Sequence, residues 1–386
     1  MELDSKPSRE QAMKRRDLIQ RFAAAGAALA LPAWSQPARI VLGQSAAFSG
    51  PAEQLGIQMN KGARVFFDAL NASGGVNGRT IELRTLDDGY EPDRCKANTD
   101  KLIKDDVFAL FGYVGTPTCL AALPLVDAAK VPFFGPFTGA EALRDPFRKM
   151  VFHVRASYYD ETALIVRQLT SLGLRKIAVF HQNDAYGEAG LEGVKRALKP
   201  TNLQPVAVGK VERNSVNVAQ AVKDITAAGP TAVVQIGAYK ACAAFIREAR
   251  KAGYGGTFFN VSFVGTEALG NELGKDAGGI MVSQVMPSPF STTAPISREY
   301  QDATRKAGPE ARPNYSSMEG YVAAKVFAEG LRRAGRAPTR ESLIAGLESI
   351  QNADFGGFHV DFSARNHAAS SFVDLSMLTQ DGKVRR

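Results

Sequence analysis

The chain has 386 residues, 45% of them apolar and 22% charged, with a formal charge of +8 and three cysteines. That is ordinary globular composition, long enough for two domains. The charges alternate in sign along the helical stretches, and no basic stripe is interleaved with aromatics, which excludes nucleic acid as a partner.

The first residues read as an address. Residues 1–16 are polar and end in Lys14-Arg15-Arg16, and a weakly apolar run of Ala, Gly and Leu follows over 22–32. That order is a signal peptide. Arg15 and Arg16, followed by Asp17-Leu18-Ile19, resemble the twin-arginine export signal, although Leu18 and Gln20 depart from its common pattern. The apolar run is too short for a membrane span, which needs roughly 20 residues. Ala33-Trp34-Ser35 has small residues at the signal peptidase spacing, so 1–35 is expected to be removed on export to the periplasm. The six basic and four acidic side chains of that segment leave a mature charge of about +6.

After it, short apolar runs alternate with helical patterns. Strands are expected at 40–42, 80–86, 107–114 and 132–134, with helices at 54–70, 93–104 and 117–129 between them. A second series follows strand 151–155, with helices at 160–171, 187–198, 218–228 and 240–252. Its strands fall at 176–180, 205–211, 232–236, 258–261 and 280–285. Pro287, Pro289 and Pro295 mark a loop before helices at 297–307, 317–334 and 339–350 and strands at 358–362 and 372–378. This alternation is the mark of βαβ units and predicts two doubly wound α/β lobes. Such sheets bind ligands at the carboxyl ends of their strands, so function is expected between the lobes.

Three cysteines in an exported chain suggest one bridge and one leftover thiol. Cys95 and Cys119 lie on expected helices flanking the strand at 107–114 and are the pair to join. The alternative is that all three are small buried hydrophobes, which Cys242 fits best.

Catalytic motifs are missing. His153, His181, His359 and His367 are scattered without metal-ligand spacing, and no metal or cofactor is expected. There is no nucleophile elbow or P-loop, and Gly43-Gln44-Ser45 stands where a dinucleotide fingerprint would be. Asp87-Asp88 could serve acid–base chemistry, but before Pro92 the pair reads as a turn and helix start. The chain is not expected to be an enzyme.

The strand ends carry hydroxyls, glycines and aromatics instead. Gly112-Tyr113-Val114-Gly115-Thr116-Pro117 opens a helix, with Thr116 placed to cap it and free N–H groups forming an anion cradle. Pro136-Phe137-Thr138-Gly139-Ala140 repeats the arrangement, with Gly139 allowing close backbone approach to a ligand. Across the cleft, Asn183-Asp184-Ala185-Tyr186-Gly187 brings Tyr186 to a helix start, and Tyr158 and Tyr159 stand at the first crossing between lobes. Each lone tyrosine could equally be a packing residue.

In this order the chain resembles the periplasmic binding proteins of the leucine/isoleucine/valine and amide class that serve ABC importers. The segment 43–56 with Phe48-Ser49-Gly50-Pro51, the Asp87-Asp88 segment, the 112–118 turn and Asp184-Ala185-Tyr186-Gly187 match that family's landmarks. The resemblance implies a type I periplasmic binding protein fold with three hinge crossings, near Ala156, Val285 and Phe362. Lobe one would comprise 38–156 and 286–362, and lobe two 157–285 and 363–386. It implies a carboxylate-binding hydroxyl at Thr116, backbone donors near Thr138 and Gly139, a stacking ring at Tyr186 and further contacts at Ala238 or Tyr239.

Two positions depart from the family. Leu55 replaces a first-loop aromatic, and Ser262 stands where amino-acid binders keep an acid for the ligand's ammonium. Glu267 and Glu319 are the acids left to substitute. A buried ammonium without a carboxylate is poorly compensated, so a carboxylate or amide lacking that amine is favoured, with an amino acid as the alternative. The expected function is solute binding by hinge closure, as a monomer, for the membrane permease subunits of an ABC importer. A sensor signalling through a membrane receptor would use the same binding chemistry.

Overall fold

The alternating pattern resolves into two mainly parallel sheets in a computed structural model that describes residues 39–385. The predicted twin-arginine signal and cleavage motif lie outside the described residues.

The first sheet has five strands, an alternating, half-buried edge strand and four more buried ones: β1 (Arg39–Ala46), β2 (Thr80–Asp87), β3 (Ala109–Phe111), β4 (Phe133–Phe134) and β5 (Val151–Phe152), with β2 at the edge. They pair in parallel in the order β2-β1-β3-β4-β5. Helices α1 (Glu53–Ala72), α2 (Pro92–Lys104) and α3 (Thr116–Ala129) make the crossovers. β3 and β4 are buried throughout, as a sheet covered on both faces requires.

The second sheet is built the same way from β6 (Ile177–Gln182), β7 (Val208–Val211), β8 (Ala232–Ile236), β9 (Thr257–Asn260) and β10 (Met281–Gln284). Its helices are α4 (Tyr158–Ser171), α5 (Ala185–Leu198), α6 (Ala219–Ala227), α7 (Tyr239–Lys251) and α8 (Thr266–Leu273). The full order is β14-β13-β10-β9-β8-β6-β7, because β13 (Asp374–Leu378) and β14 (Val384–Arg385) return to add antiparallel edge strands. Between them run α9 (Pro295–Ala307), α10 (Tyr315–Ala334), α11 (Arg340–Glu348) and the small β11 (Ala353–Asp354) and β12 (His359–Val360) pair. The predicted pattern missed α8, β11 and the last strand, all of them short.

Two glycines let α10 reach the first sheet. A Cβ on Gly62 of α1 would lie 1.8 Å from the Ser317 carbonyl oxygen, and one on Gly320 of α10 would lie 2.1 Å from that of Met59. The two helices therefore cross with their backbones in contact, and any side chain there would force them apart.

One sequence expectation is corrected. Cys95 and Cys119 are not bridged; both thiols are free and buried, as is Cys242. Burial pushes the Cys95 thiol up, helped by the neighbouring Asp88, and burial does the same for Cys119. Thiolate, the form that starts disulfide exchange, is thereby suppressed. Native protein should show no rapid reaction with a thiol reagent, and denatured protein should release three equivalents. One equivalent after denaturation would mean that the bridge forms after all.

Candidate functional site

In an open α/β sheet the strand order reverses at one point, and the loops on either side diverge there to leave a crevice. In the first sheet that point lies between β1 and β3, and in the second between β6 and β8. The carboxyl ends of these strands lead into residues 47–49, 112–116, 183–186 and 237–239, which fall within or overlap the stretches singled out from sequence.

On the first wall the Thr116 and Thr138 hydroxyls are 2.6 Å apart and wholly buried. Thr138 Oγ1 also donates to the Tyr158 hydroxyl at 3.3 Å and accepts from the Ala140 N–H at 3.2 Å. Thr116 is thus the first residue of α3 rather than its cap; Gly115 takes the cap position, and no side chain bonds the helix end there. Its hydroxyl turns to Thr138 instead.

On the second wall Asp184 caps α5, accepting from the Tyr186 N–H at 3.0 Å, which fixes where that residue leaves the sheet. The Tyr186 ring lies 5.4 Å from Tyr158 and 4.5 Å from Phe263. Phe263 in turn stands 5.6 Å from Phe137 and 6.0 Å from Tyr90. Five aromatic rings from both walls thus form one cluster. Tyr90 holds a φ of +64°, unusual for an aromatic residue, and its hydroxyl accepts from Gln182 Nε2 of the opposite wall at 3.1 Å.

At the edge of this cluster sits Arg155, wholly buried, with its guanidinium 4.9 Å from the centre of the Phe137 ring and 5.9 Å from that of Tyr158. Nη2 donates to Glu161 Oε1 at 3.3 Å and to the Ser262 hydroxyl, and Nη1 faces Glu319 Oε1 at 3.7 Å. Glu161 is held by the Ser262 N–H at 2.7 Å, the Ser262 hydroxyl at 3.0 Å and the Ser283 hydroxyl at 2.5 Å. Burial pushes the Glu319 carboxyl up to about 7, although Arg155 pulls it the other way. Ser262 does have an acid beside it: Glu161, from the first turn of α4, accepts from both its N–H and its hydroxyl.

Other expected residues fall differently. Tyr113 belongs to the core under α2 and α3, where its hydroxyl accepts from Thr99 at 3.2 Å and its ring meets Phe133 at 5.0 Å. A Cβ on Gly139 would lie 2.7 Å from the Tyr158 backbone nitrogen, so the close neighbour there is the chain itself. Gly115 is pressed by the Tyr90 ring in the same way, at 2.2 Å from its would-be Cβ. Leu55 is buried at the start of α1 and approaches Gly265 of the second wall, while Ala238 and Tyr239 open α7 and are also buried.

Asp87 and Asp88 build the turn that carries Tyr90. Burial raises the Asp87 carboxyl, but hydrogen bonds from Ser49, the Phe48 and Gly89 N–H groups and Arg94 outweigh it and hold the group at about 2. Asp88 accepts from Ser45 Oγ at 2.7 Å and from the Tyr90 N–H at 2.8 Å, and burial pushes it up to about 6.

The walls meet at both rims. Arg213 Nη2 donates to Glu91 at 2.9 Å and Asn214 Nδ2 to the Gly89 carbonyl at 3.0 Å, while on the other side Glu267 accepts from the Tyr315 N–H at 3.1 Å. Between them remains a cavity of about 10 Å³ bordered by Phe137, Ser262, Gln284, Tyr315 and Glu319. The arrangement is that of a closed cleft. Arg155, Glu161, Tyr90 and Phe263 were not picked out from sequence; the one local signal was the positive charge of Arg155 within the otherwise uncharged stretch 150–159, between two expected elements.

Among the described residues no group of three His, Cys, Asp or Glu could hold a metal ion, and no helix is long and apolar enough to cross a membrane. A model of the periplasmic binding protein family matches residues 39–383. The fold is similar to a possible leucine/isoleucine/valine-binding protein from Rhodopirellula baltica, at 36% identity and a TM-score of 0.87, covering 90% of this chain and 96% of that one. A substrate-binding periplasmic protein from Ralstonia solanacearum is 33% identical with a TM-score of 0.85, over 89% and 99% of the two chains. A Leu/Ile/Val-binding protein homolog of Brucella melitensis is 27% identical over 378 residues, 93% of each chain. Family and fold are those of binding proteins rather than enzymes. The chain belongs to the periplasmic binding protein family, as a solute-binding protein of the periplasm.

Proposed function

We propose that this protein is the solute-binding component of an ABC importer, closing two α/β lobes on a small carboxylate-bearing ligand and presenting the closed form to the permease subunits. The observation that carries the reading is the meeting of both strand-order reversals at one aromatic cluster, with the Thr116–Thr138 hydroxyl pair on one side and Tyr186 on the other. Lobe one would comprise 38–156 with 286–362, and lobe two 157–285 with 363–386. Sheet membership supports this division, since β13 and β14 join the second sheet and α10 packs on α1. The relatives named for leucine, isoleucine and valine support an amino acid or a similar small acid as ligand. The protein would reach the periplasm by the twin-arginine route and act as a monomer.

Closure follows from differential affinity. A ligand that bridges both walls binds the closed form better, and a preference of about ten thousandfold turns a mostly open population into a mostly closed one. The rim contacts Arg213–Glu91 and Glu267–Tyr315 would engage in that step.

A thermal-shift screen of residues 36–386 against amino acids, amides and carboxylates tests the reading; a ligand at a hundred times its Kd adds about 2.7 kcal/mol. Thr116→Val should weaken the binding of any hit by roughly 1–3 kcal/mol, through loss of a hydrogen bond to a charged group. Undiminished affinity would remove Thr116 from the site. Co-purification with permease subunits, and not with receptor subunits, distinguishes delivery from signalling.

Closure also leaves a pH signature. Burial raises Glu267 and Glu319 from an ordinary 4.5 to about 7, so the native state binds protons there that the unfolded chain has released. Their stabilising contribution is present at low pH and is lost as pH rises through about 7. His153, His181 and His367 are lowered by burial and act with the opposite sign, below 6.5. The melting temperature should therefore fall between pH 6.5 and 8, and Glu267→Gln, whose amide oxygen still accepts from Tyr315, should flatten that decline. An unchanged slope in the variant would show that Glu267 does not titrate there.

A further inference from the structure

A guanidinium has five N–H donors and no acceptor. On Arg155 only Nη2 makes hydrogen bonds, to Glu161 and Ser262, both at the second wall. Nε and Nη1 make none, and the 3.7 Å from Nη1 to Glu319 is beyond hydrogen-bond reach. A buried charged donor left without an acceptor is expensive for a fold to keep, and such groups persist where something completes them.

The neighbouring acids differ in what they can still accept. Glu161 already takes four donors, from Arg155, the Ser262 N–H, the Ser262 hydroxyl and the Ser283 hydroxyl. An ammonium arriving at Ser262 would have to compete with all of them. Glu319 borders the small cavity with its Oε1 3.7 Å from Nη1, close enough to offset part of the charge but not to hydrogen-bond either unpaired nitrogen. The surroundings of Arg155 are otherwise aromatic: Phe137 and Tyr158 under the guanidinium, then Tyr186 and Phe263. The hydroxyl of Tyr158 joins this group to Thr138.

We infer that Arg155 is the anion anchor of the cleft and that its ligand is an aromatic carboxylate without an ammonium group. The carboxylate accepts from Nε and Nη1, and the ring lies among Phe137, Tyr158, Tyr186 and Phe263 when the walls part to admit it. The inference rests on the reading that this cleft takes the ligand. Planar bidentate recognition is what arginine does better than lysine, and flat aromatic walls suit a flat ligand body better than a branched aliphatic one.

Calorimetric titration of the mature protein with benzoate, 4-hydroxybenzoate and 3-phenylpropanoate, each beside its carboxamide, and with phenylalanine, tests this. At least one acid should bind, with its amide weaker by about tenfold or more, as expected when a charge-assisted pair is lost. Phenylalanine should bind more weakly than 3-phenylpropanoate. Arg155→Gln should abolish binding of the acid; because that change strands Glu161, the pair Arg155→Gln with Glu161→Gln keeps the junction neutral and should lose the acid as well. If neither variant folds, the acid-to-amide ratio of the unaltered protein decides. An amide that binds as well as its acid, an acid retained by the double variant, or silence from every acid overturns the inference. Leucine or an aliphatic amide bound in a manner sensitive to Thr116→Val would sink Arg155 as anchor and leave the cleft reading standing. Binding indifferent to both Thr116→Val and Tyr186→Ala would sink the cleft reading itself.

Discussion

A full positive charge lies out of reach of water at the junction of the two sheets, and much of the molecule is arranged around it. Arg155 is wholly buried, and breaking a buried ion pair by removing one partner typically destabilises a protein by about 3–5 kcal/mol. Its principal partner, Glu161, lies six residues along the chain, and the two hold each other only because α4 starts between them. That start is specified locally: Ser157 and Asp160 form a reciprocal capping box, which sets the helix phase and points Glu161 inward. Glu161 then collects Ser262 and Ser283 from segments more than a hundred residues away. The second wall is thereby tied to the charge of the first crossing.

The other carboxylate depends on a different constraint. Glu319 precedes Gly320, the residue that lets α10 rest directly on α1 at Met59. A larger residue at 320 would lift the helix and carry Glu319 away from Arg155. The geometry of the cleft is therefore governed partly by a helix crossing in which no ligand contact takes part. The glycines at 62 and 320 are there for approach rather than for turning.

The sheets, most helices and the strand-end loops were legible because they rest on patterns local to a few residues. Thr116, Thr138 and Tyr186 could be placed beside the cleft because a hydroxyl or aromatic just beyond a strand's carboxyl end has a position that topology alone dictates. Arg155 and Glu161 could not, since periodicity records which face a residue takes and not whether a charge there finds a partner 107 positions further on. Phe263 was hidden for the opposite reason: within Val261-Ser262-Phe263-Val264 it is indistinguishable from core. Gly139 announced a close neighbour, and in the closed arrangement the Tyr158 backbone is one. The cysteine pairing rested on two helices flanking one strand, a pattern that brings thiols into one layer without joining them.

The second sheet is completed only by the last stretch of the chain, where β13 pairs along the whole of β10 and β14 pairs with β13. During synthesis β10 therefore waits with one edge unpaired until β13, some ninety residues further on, has left the ribosome. Until then the nascent protein carries an open strand edge of the kind that chaperones cover and that aggregation exploits.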